Sequence, residues 1–282
     1  MASTARQTGH EGQARRARHA PSVKRFMGFA DVYDAVRPAP PEALIGILCQ
    51  YAQAAKPRLV VDLGCGTGLS TRLWAGRAHR IIGIEPSPDM RREAKRQTTA
   101  RNISYRAGFS HQTGLRDGCA DIVTCSQSFH WMEPASTLAE AARLLRHGGV
   151  FATIDADWPP VTSYWEVEAA YEALRSRVAR IRKTRTFEAE PKRWPKEQHL
   201  KRIRSCGLFR YVREFLVNNE EPGDAERLVG LARSQGSLAD LLKLEMTEAE
   251  IGLDQLRAVA QRVLGAAPQP WRFSYRVRIG IV

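Results

Sequence analysis

Residues 59–70 read Leu-Val-Val-Asp-Leu-Gly-Cys-Gly-Thr-Gly-Leu-Ser, and their types and spacing are those of a ligand-binding turn. Asp62 ends a short β-branched run, and Gly64, Gly66 and Gly68 follow at alternate positions. Glycine accepts positive φ and lets another group approach the backbone closely. A strand, a glycine turn and a helix N-terminus together offer backbone N–H groups to a nucleotide-like ligand at the carboxyl edge of a sheet. The turn does not fit a dinucleotide, whose fingerprint needs a glycine where this chain has Leu69. A carboxylate at position 62 repels a pyrophosphate but suits a cationic amino-acid head group. Twenty-three residues after Asp62, the apolar run Ile81–Ile84 ends at Glu85, an acid able to accept hydrogen bonds from ribose hydroxyls.

The elements that must position these residues follow from hydrophobic patterning. Apolar runs at 59–62, 81–85, 103–107, 119–125 and 150–154 read as strands, and segments 42–51, 70–80, 88–97 and 134–146 read as helices. Three prolines set a sharp start for the first of these helices, and Gly148-Gly149 is expected to end the last. Five alternations of strand and helix argue for a parallel, doubly wound α/β sheet. After Asp155 the pattern changes. Residues 163–184 form an amphipathic helix, 209–217 alternate like a strand, 224–264 are helical, and 271–282 alternate clearly as a half-exposed strand.

Composition bounds the function classes. The chain has 282 residues, 43% of them hydrophobic, and a net charge of +13 carried by 35 Arg and 8 Lys. No apolar run approaches the roughly 18 residues needed to span a membrane. Five cysteines form no CxxC pair, so neither a disulfide framework nor a metal site is suggested, and a reducing cytoplasm fits. Residues 1–25 hold six basic residues against Glu11 and lack apolar periodicity, which reads as a disordered basic tail ahead of a domain spanning 26–282. Between Arg175 and Arg204 there are twelve Lys or Arg against three acids. Such a run is ordinarily a solvated face; as a functional element it would steer an anionic substrate.

The words Val-Asp-Leu-Gly-Cys-Gly-Thr-Gly (61–68) and Ile-Glu-Pro-Ser-Pro-Asp-Met (84–90) resemble the first two motifs of the class I S-adenosylmethionine-dependent methyltransferases. Tyr33-Asp-Ala-Val-Arg37-Pro38, Ser126-Gln127-Ser-Phe-His130-Trp131 and, more weakly, Leu231-Ala-Arg-Ser234 are similar to words of the trans-aconitate-methyltransferase-like group, also called methyltransferase type 11. The resemblance covers about residues 26–282. It implies a mostly parallel seven-stranded Rossmann-like sheet, closed by a C-terminal antiparallel hairpin, with helical lid insertions at 155–204 and 221–265. After the third strand the family's usual Gly-x-Ala-Glu is replaced by Gly108-Phe109-Ser110-His111, so no named relative's substrate is carried over to this chain.

The resemblance implies S-adenosyl-L-methionine as cofactor. Gly64, Gly66 and Gly68 would face its amino-acid portion and ribose. Asp62 would orient the loop or accept from the ammonium, and Glu85 would accept from both ribose hydroxyls. Pro86, Phe109 and Ser110 would meet the adenine. Tyr33 and Arg37 would meet the carboxylate, for which the arginine fork is suited. Gln127 would touch the methionine part. His130 is a weak candidate for a general base, with a hydrogen-bonded structural histidine as the competing reading. The expected reaction is methyl transfer to an oxygen, carboxylate or hydroxyl, of a small-molecule acceptor that can be anionic. Methylation of RNA or DNA is the first alternative, motivated by the basic charge. Against it, the Asn/Asp-Pro-Pro-Tyr/Phe loop of base amino-methylating enzymes is replaced by Ser126–His130, so a nucleic-acid partner is not expected. A non-catalytic S-adenosylmethionine-binding regulator is the second alternative.

Overall fold

The structure is a computed structural model that describes residues 36–185 and 192–282. Tyr33 and the basic tail 1–25 lie outside the described residues. The chain forms α1 (Glu42–Tyr51), β1 (Leu59–Leu63), α2 (Leu69–Arg72), β2 (Arg80–Ile84), α3 (Pro88–Arg96), β3 (Ile103–Arg106), β4 (Ala120–Ser126), α4 (Pro134–Leu144) and β5 (Leu145–Ala156). It continues through α5 (Trp165–Thr184), α6 (His199–Ser205), β6 (Tyr211–Gly223), α7 (Ala225–Arg233), α8 (Gly236–Lys243), α9 (Glu248–Ile251), α10 (Leu253–Val263) and β7 (Gln269–Ile281).

The seven strands make one sheet in the order β3-β2-β1-β4-β5-β7-β6, parallel except that β7 runs antiparallel to both β5 and β6. The expected doubly wound sheet with a closing hairpin is what forms. Successive side chains on a strand point to opposite faces, so the same strands feed two cores. Val60, Ile81 and Ile122 pack on one face, and Val61, Ile82 and Val123 on the other. Helices must cover both faces, which explains the unbroken apolar character of the central strands. Because β2 lies on one side of β1 and β4 on the other, connections leaving their carboxyl ends diverge and open a crevice above Asp62, Glu85 and Ser126.

Two expected boundaries differ. The helix expected over 70–80 stops at Arg72, and the chain proceeds by turns in which Gly76 takes φ 73°. That left-handed backbone cannot continue an α-helix. Helix α4 ends at Leu144 rather than at the glycines, because Leu145 already pairs with Ala120 as the first residue of β5. Gly148, at φ 76°, sits inside the strand where the ladder is irregular, the usual use of glycine in a bulge.

Helices α7–α10, inserted between the hairpin strands, pack with α5 in the first core through Val167, Leu228 and Leu256. The Arg182–Asp240 ion pair at 2.6 Å ties α5 to α8. Residues 199–204, the end of the expected 155–204 lid, fall in α6, whose Ile203 enters the second core beside Phe151 and Phe209. Among the described residues no helix is long and apolar enough to cross a membrane.

Candidate functional site

The turn after β1 is strapped to the end of β2. Gly64 N and Cys65 N both donate to Ile84 O, at 2.8 and 3.2 Å. Gly64, Gly66 and Gly68 take φ of 65°, 56° and 81°, the region in which side-chain-bearing residues are strained. At Gly68 the need for glycine is doubled, because a Cβ would fall on the Tyr105 hydroxyl. Glu85, 9% exposed, closes this cradle. Its Oε2 accepts from Gly66 N (3.1 Å) and its Oε1 from Ser87 N (2.8 Å). Burial raises the Glu85 carboxyl above the ordinary glutamate value, and the two backbone N–H groups offset only part of that.

Asp62 lies beneath the loop, not on its open side. Its Oδ2 accepts from Ser70 Oγ (2.8 Å) and Thr71 Oγ1 (2.7 Å), and its Oδ1 from Thr124 Oγ1 (2.9 Å). It is 1% exposed, and burial pushes its carboxyl up. Of the two roles expected for Asp62, these contacts describe loop orientation: the carboxylate joins β1, α2 and β4 under the glycines.

A cavity of roughly 170 Å³ opens above the cradle. On this measure a single water needs about 10–15 Å³, so the space is of ligand size. Its wall brings together Arg37, Gly64, Gly66, Glu85, Pro86, Phe109, Ser110 and Gln127 from the expected set. Asp62, Gly68 and His130 do not line it; Gly68 shapes the turn from behind. Cys65, Ser87, Met90, Trp131, Met132 and Trp158 complete much of the wall. The apolar periodicity of α3 marks Met90, but nothing local in the sequence marks Met132.

The 109–113 loop is held by polar contacts. Ser110 Oγ meets Thr137 Oγ1 at 2.9 Å, and Thr113 N donates to Glu140 Oε1 at 2.9 Å. Burial alone would raise Glu140, but paired hydrogen bonds from Arg143, with those from Thr113, hold it at about 2. Phe109 stacks on His111, with ring centroids 5.7 Å apart. Arg37 is fixed by Ser234 of the inserted helices, donating from Nε to Oγ (2.9 Å) and from Nη2 to the carbonyl (2.8 Å). Its guanidinium lies 5.0 Å from the Trp158 ring centroid. The weak Leu231–Ser234 word thus meets the Arg37 word in space.

Gln127 follows β4 with φ 52°, and its Oε1 accepts from Lys196 Nζ at 2.9 Å. Lys196 also pairs with Asp155 Oδ1 at 2.9 Å. Reading the 175–204 run as a solvated face misses this: Lys196 is only 19% exposed. His130 lies behind the wall, 5% exposed, with Nδ1 3.9 Å from Asp155 Oδ1. Burial, reinforced by the nearby Lys196, pushes its pKa well down. A neutral imidazole that does not line this cavity does not suit a base that must reach an acceptor. Trp158 reaches the site, whereas Tyr164 and Trp165 are exposed, the latter 78%; neither lines this cavity.

Part of the chain is similar to known proteins. A family described as "Methyltransferase domain" matches residues 61–153. An uncharacterized methyltransferase of Mycobacterium tuberculosis is 36% identical over 128 residues, 44% of this chain and 49% of that protein. A protein of Saccharomyces cerevisiae named as a probable S-adenosylmethionine-dependent methyltransferase is 29% identical over 125 residues, 43% of each chain. The chain spans about half the length of these relatives. A solved structure of a type II methyltransferase candidate from Anaeromyxobacter dehalogenans shares the fold, with a TM-score of 0.65, 23% identity and coverage of 87% of this chain and 97% of that one.

Proposed function

We propose that this chain, whose residues 61–153 match a family described as a methyltransferase domain, is a class I S-adenosylmethionine-dependent methyltransferase that transfers a methyl group to an oxygen of a small-molecule acceptor. The observation that carries the reading is the Glu85 cradle. A buried carboxylate, pinned by two backbone N–H groups at the rim of a ligand-sized cavity, retains acceptor lone pairs for a diol, and the glycine turn beside it has no side chains to block the approach. The residues present therefore fit S-adenosylmethionine. Glu85 would hold the ribose, the Gly64–Gly66 turn and Arg37 the amino-acid portion, and Pro86, Phe109 and Ser110 the adenine. Bound there, the cofactor supplies a methyl group already activated by a sulfonium charge.

What remains for the protein is mainly alignment and exclusion of water. Holding reactants in line can supply roughly 7–11 kcal/mol of a barrier. Gln127 and Trp131, fixed by Lys196 and Arg193, would set the acceptor's direction. Trp158 and Met132 exclude water from the apolar side of the cavity. A carboxylate acceptor needs no base, whereas a hydroxyl acceptor needs one, and His111 on the cavity wall is better placed for that than His130.

The test is transfer of label from methyl-labelled S-adenosylmethionine to a panel of organic acids and phenols, with product masses read in parallel. A mass gain of one methylene on an acid or phenol supports the reading. Label transferred only to amines or to RNA would contradict the oxygen assignment.

A further inference from the structure

A second cavity, of about 790 Å³, lies beside the first. Trp158 walls both. Gln127 on the first cavity is hydrogen-bonded to Lys196 on the second at 2.9 Å. Arg193 on the second places its guanidinium 5.5 Å from the ring centroid of Trp131 on the first. The cavities thus abut at three places, as a donor site and an acceptor site must.

The charges of the second cavity are mostly spent on one another. Arg278, 3% exposed, bridges Asp155 (3.0 Å) and Glu214 (2.8 Å). Arg276 bridges Asp157 (3.1 Å) and Glu214 (3.4 Å), and Lys196 adds its contact to Asp155. Arg175 pairs with Glu172 at 2.8 Å, outside the wall. Among the described residues, Arg193 is then the lining cation with no ion pair, and Glu197 the lining acid with none.

We propose that this second cavity is the acceptor site and that it takes an organic carboxylate anchored by Arg193. The proposal rests on the methyltransferase reading. A guanidinium is a planar fork that matches a carboxylate with two parallel hydrogen bonds. Its contact with Trp131 holds that fork at the boundary of the cofactor cavity, so an anchored acceptor lies next to the methyl donor. Glu197, in the same wall, opposes an anion and competes for Arg193, which sets the threshold an acceptor must exceed.

The experiment uses the full chain saturated with S-adenosylhomocysteine at about 150 mM salt, where loose binding to a basic surface is screened. The probes are benzoate, its neutral isostere benzamide and inorganic phosphate, titrated by calorimetry. Benzoate should bind at least about tenfold more tightly than benzamide, and Arg193→Gln should remove that preference. Arg193→Lys should keep part of it, having the charge without the fork. Glu197→Gln should tighten benzoate severalfold. Equal affinity for benzoate and benzamide, no effect of Arg193→Gln, or binding of phosphate in place of benzoate would each overturn the proposal. So would weaker benzoate binding in Glu197→Gln, which would make Glu197 part of a site for a zwitterion. If S-adenosylhomocysteine itself fails to bind, the cofactor reading fails and takes this proposal with it; saturable cofactor binding without a carboxylate preference defeats the proposal alone.

Discussion

Replacing Glu85 should separate a cofactor cradle from an ordinary strand-end acid. Its two oxygens are each met by one backbone N–H, from Gly66 and Ser87, so each retains one acceptor site for a ribose hydroxyl. Hydrogen bonds to a charged group are worth about 1.5–3 kcal/mol each. Losing two in Glu85→Ala, with water re-solvating the freed loop N–H groups, should cost about 3–4 kcal/mol of binding, or roughly 100- to 1000-fold in Kd. Glu85→Gln should fare nearly as badly, because its NH2 must face one of the backbone donors. Trp131 and Trp158 line the cavity, so quenching of tryptophan fluorescence by S-adenosylhomocysteine reads the affinity, and a thermal melt of each variant reads the fold. The same site fixes a pH dependence. Burial raises the Glu85 carboxyl above its ordinary 4.5, so affinity should fall as the pH is lowered through that raised value. Affinities of both variants within about threefold of the unaltered protein, with normal melts, would rule out the Glu85 cradle, since among the described residues no other carboxylate lines that wall.

Gly68→Ala combines a φ of 81° with a Cβ that meets the Tyr105 hydroxyl, and should lower stability by about 1–3 kcal/mol, read as a drop in Tm. Arg278→Met leaves Asp155, among the described residues, with Lys196 as its charged partner and should cost about 3–5 kcal/mol in a urea titration. Burial holds His199 at about 4 instead of 6.5, so the unfolded chain binds a proton that the fold refuses between those values. Stability should therefore fall as pH drops from 6.5 to about 4, and His199→Phe should flatten that part of the profile. Glu140, held at about 2, contributes stability that is present above 4.5 and lost as pH falls toward 2; Glu140→Gln should remove that acid limb.

The strands and the glycine turn were legible because their signals are local. A β-branched run ending in an acid and three glycines needs no distant partner to be recognised, and β1, β2 and β4 lie where the apolar runs place them. The errors fall where tertiary contacts decide. Leu145 is a strand residue because Ala120 is across from it, and Gly148 then serves a bulge instead of a helix end. His130 carries the residue type of a base, but the fold turns it behind the wall, while Asp62 makes the contacts of the loop-orienting role, one of the two expected for it. Lys196 and Arg193 were hidden by their own context, since a run of basic residues looks solvated whichever of its members turns inward. Ser234 became readable as a site-supporting residue only when the fold brought it to Arg37, 197 positions away.

Cofactor binding is tested first by a calorimetric titration of the unaltered full chain with S-adenosylhomocysteine at about 150 mM salt, which screens nonspecific attraction to the basic surface. Saturable one-to-one binding in the micromolar range is expected. A folded sample that gives no heat over a range of temperatures would contradict it, because the Glu85 cradle and the cavity above it would then serve some other ligand.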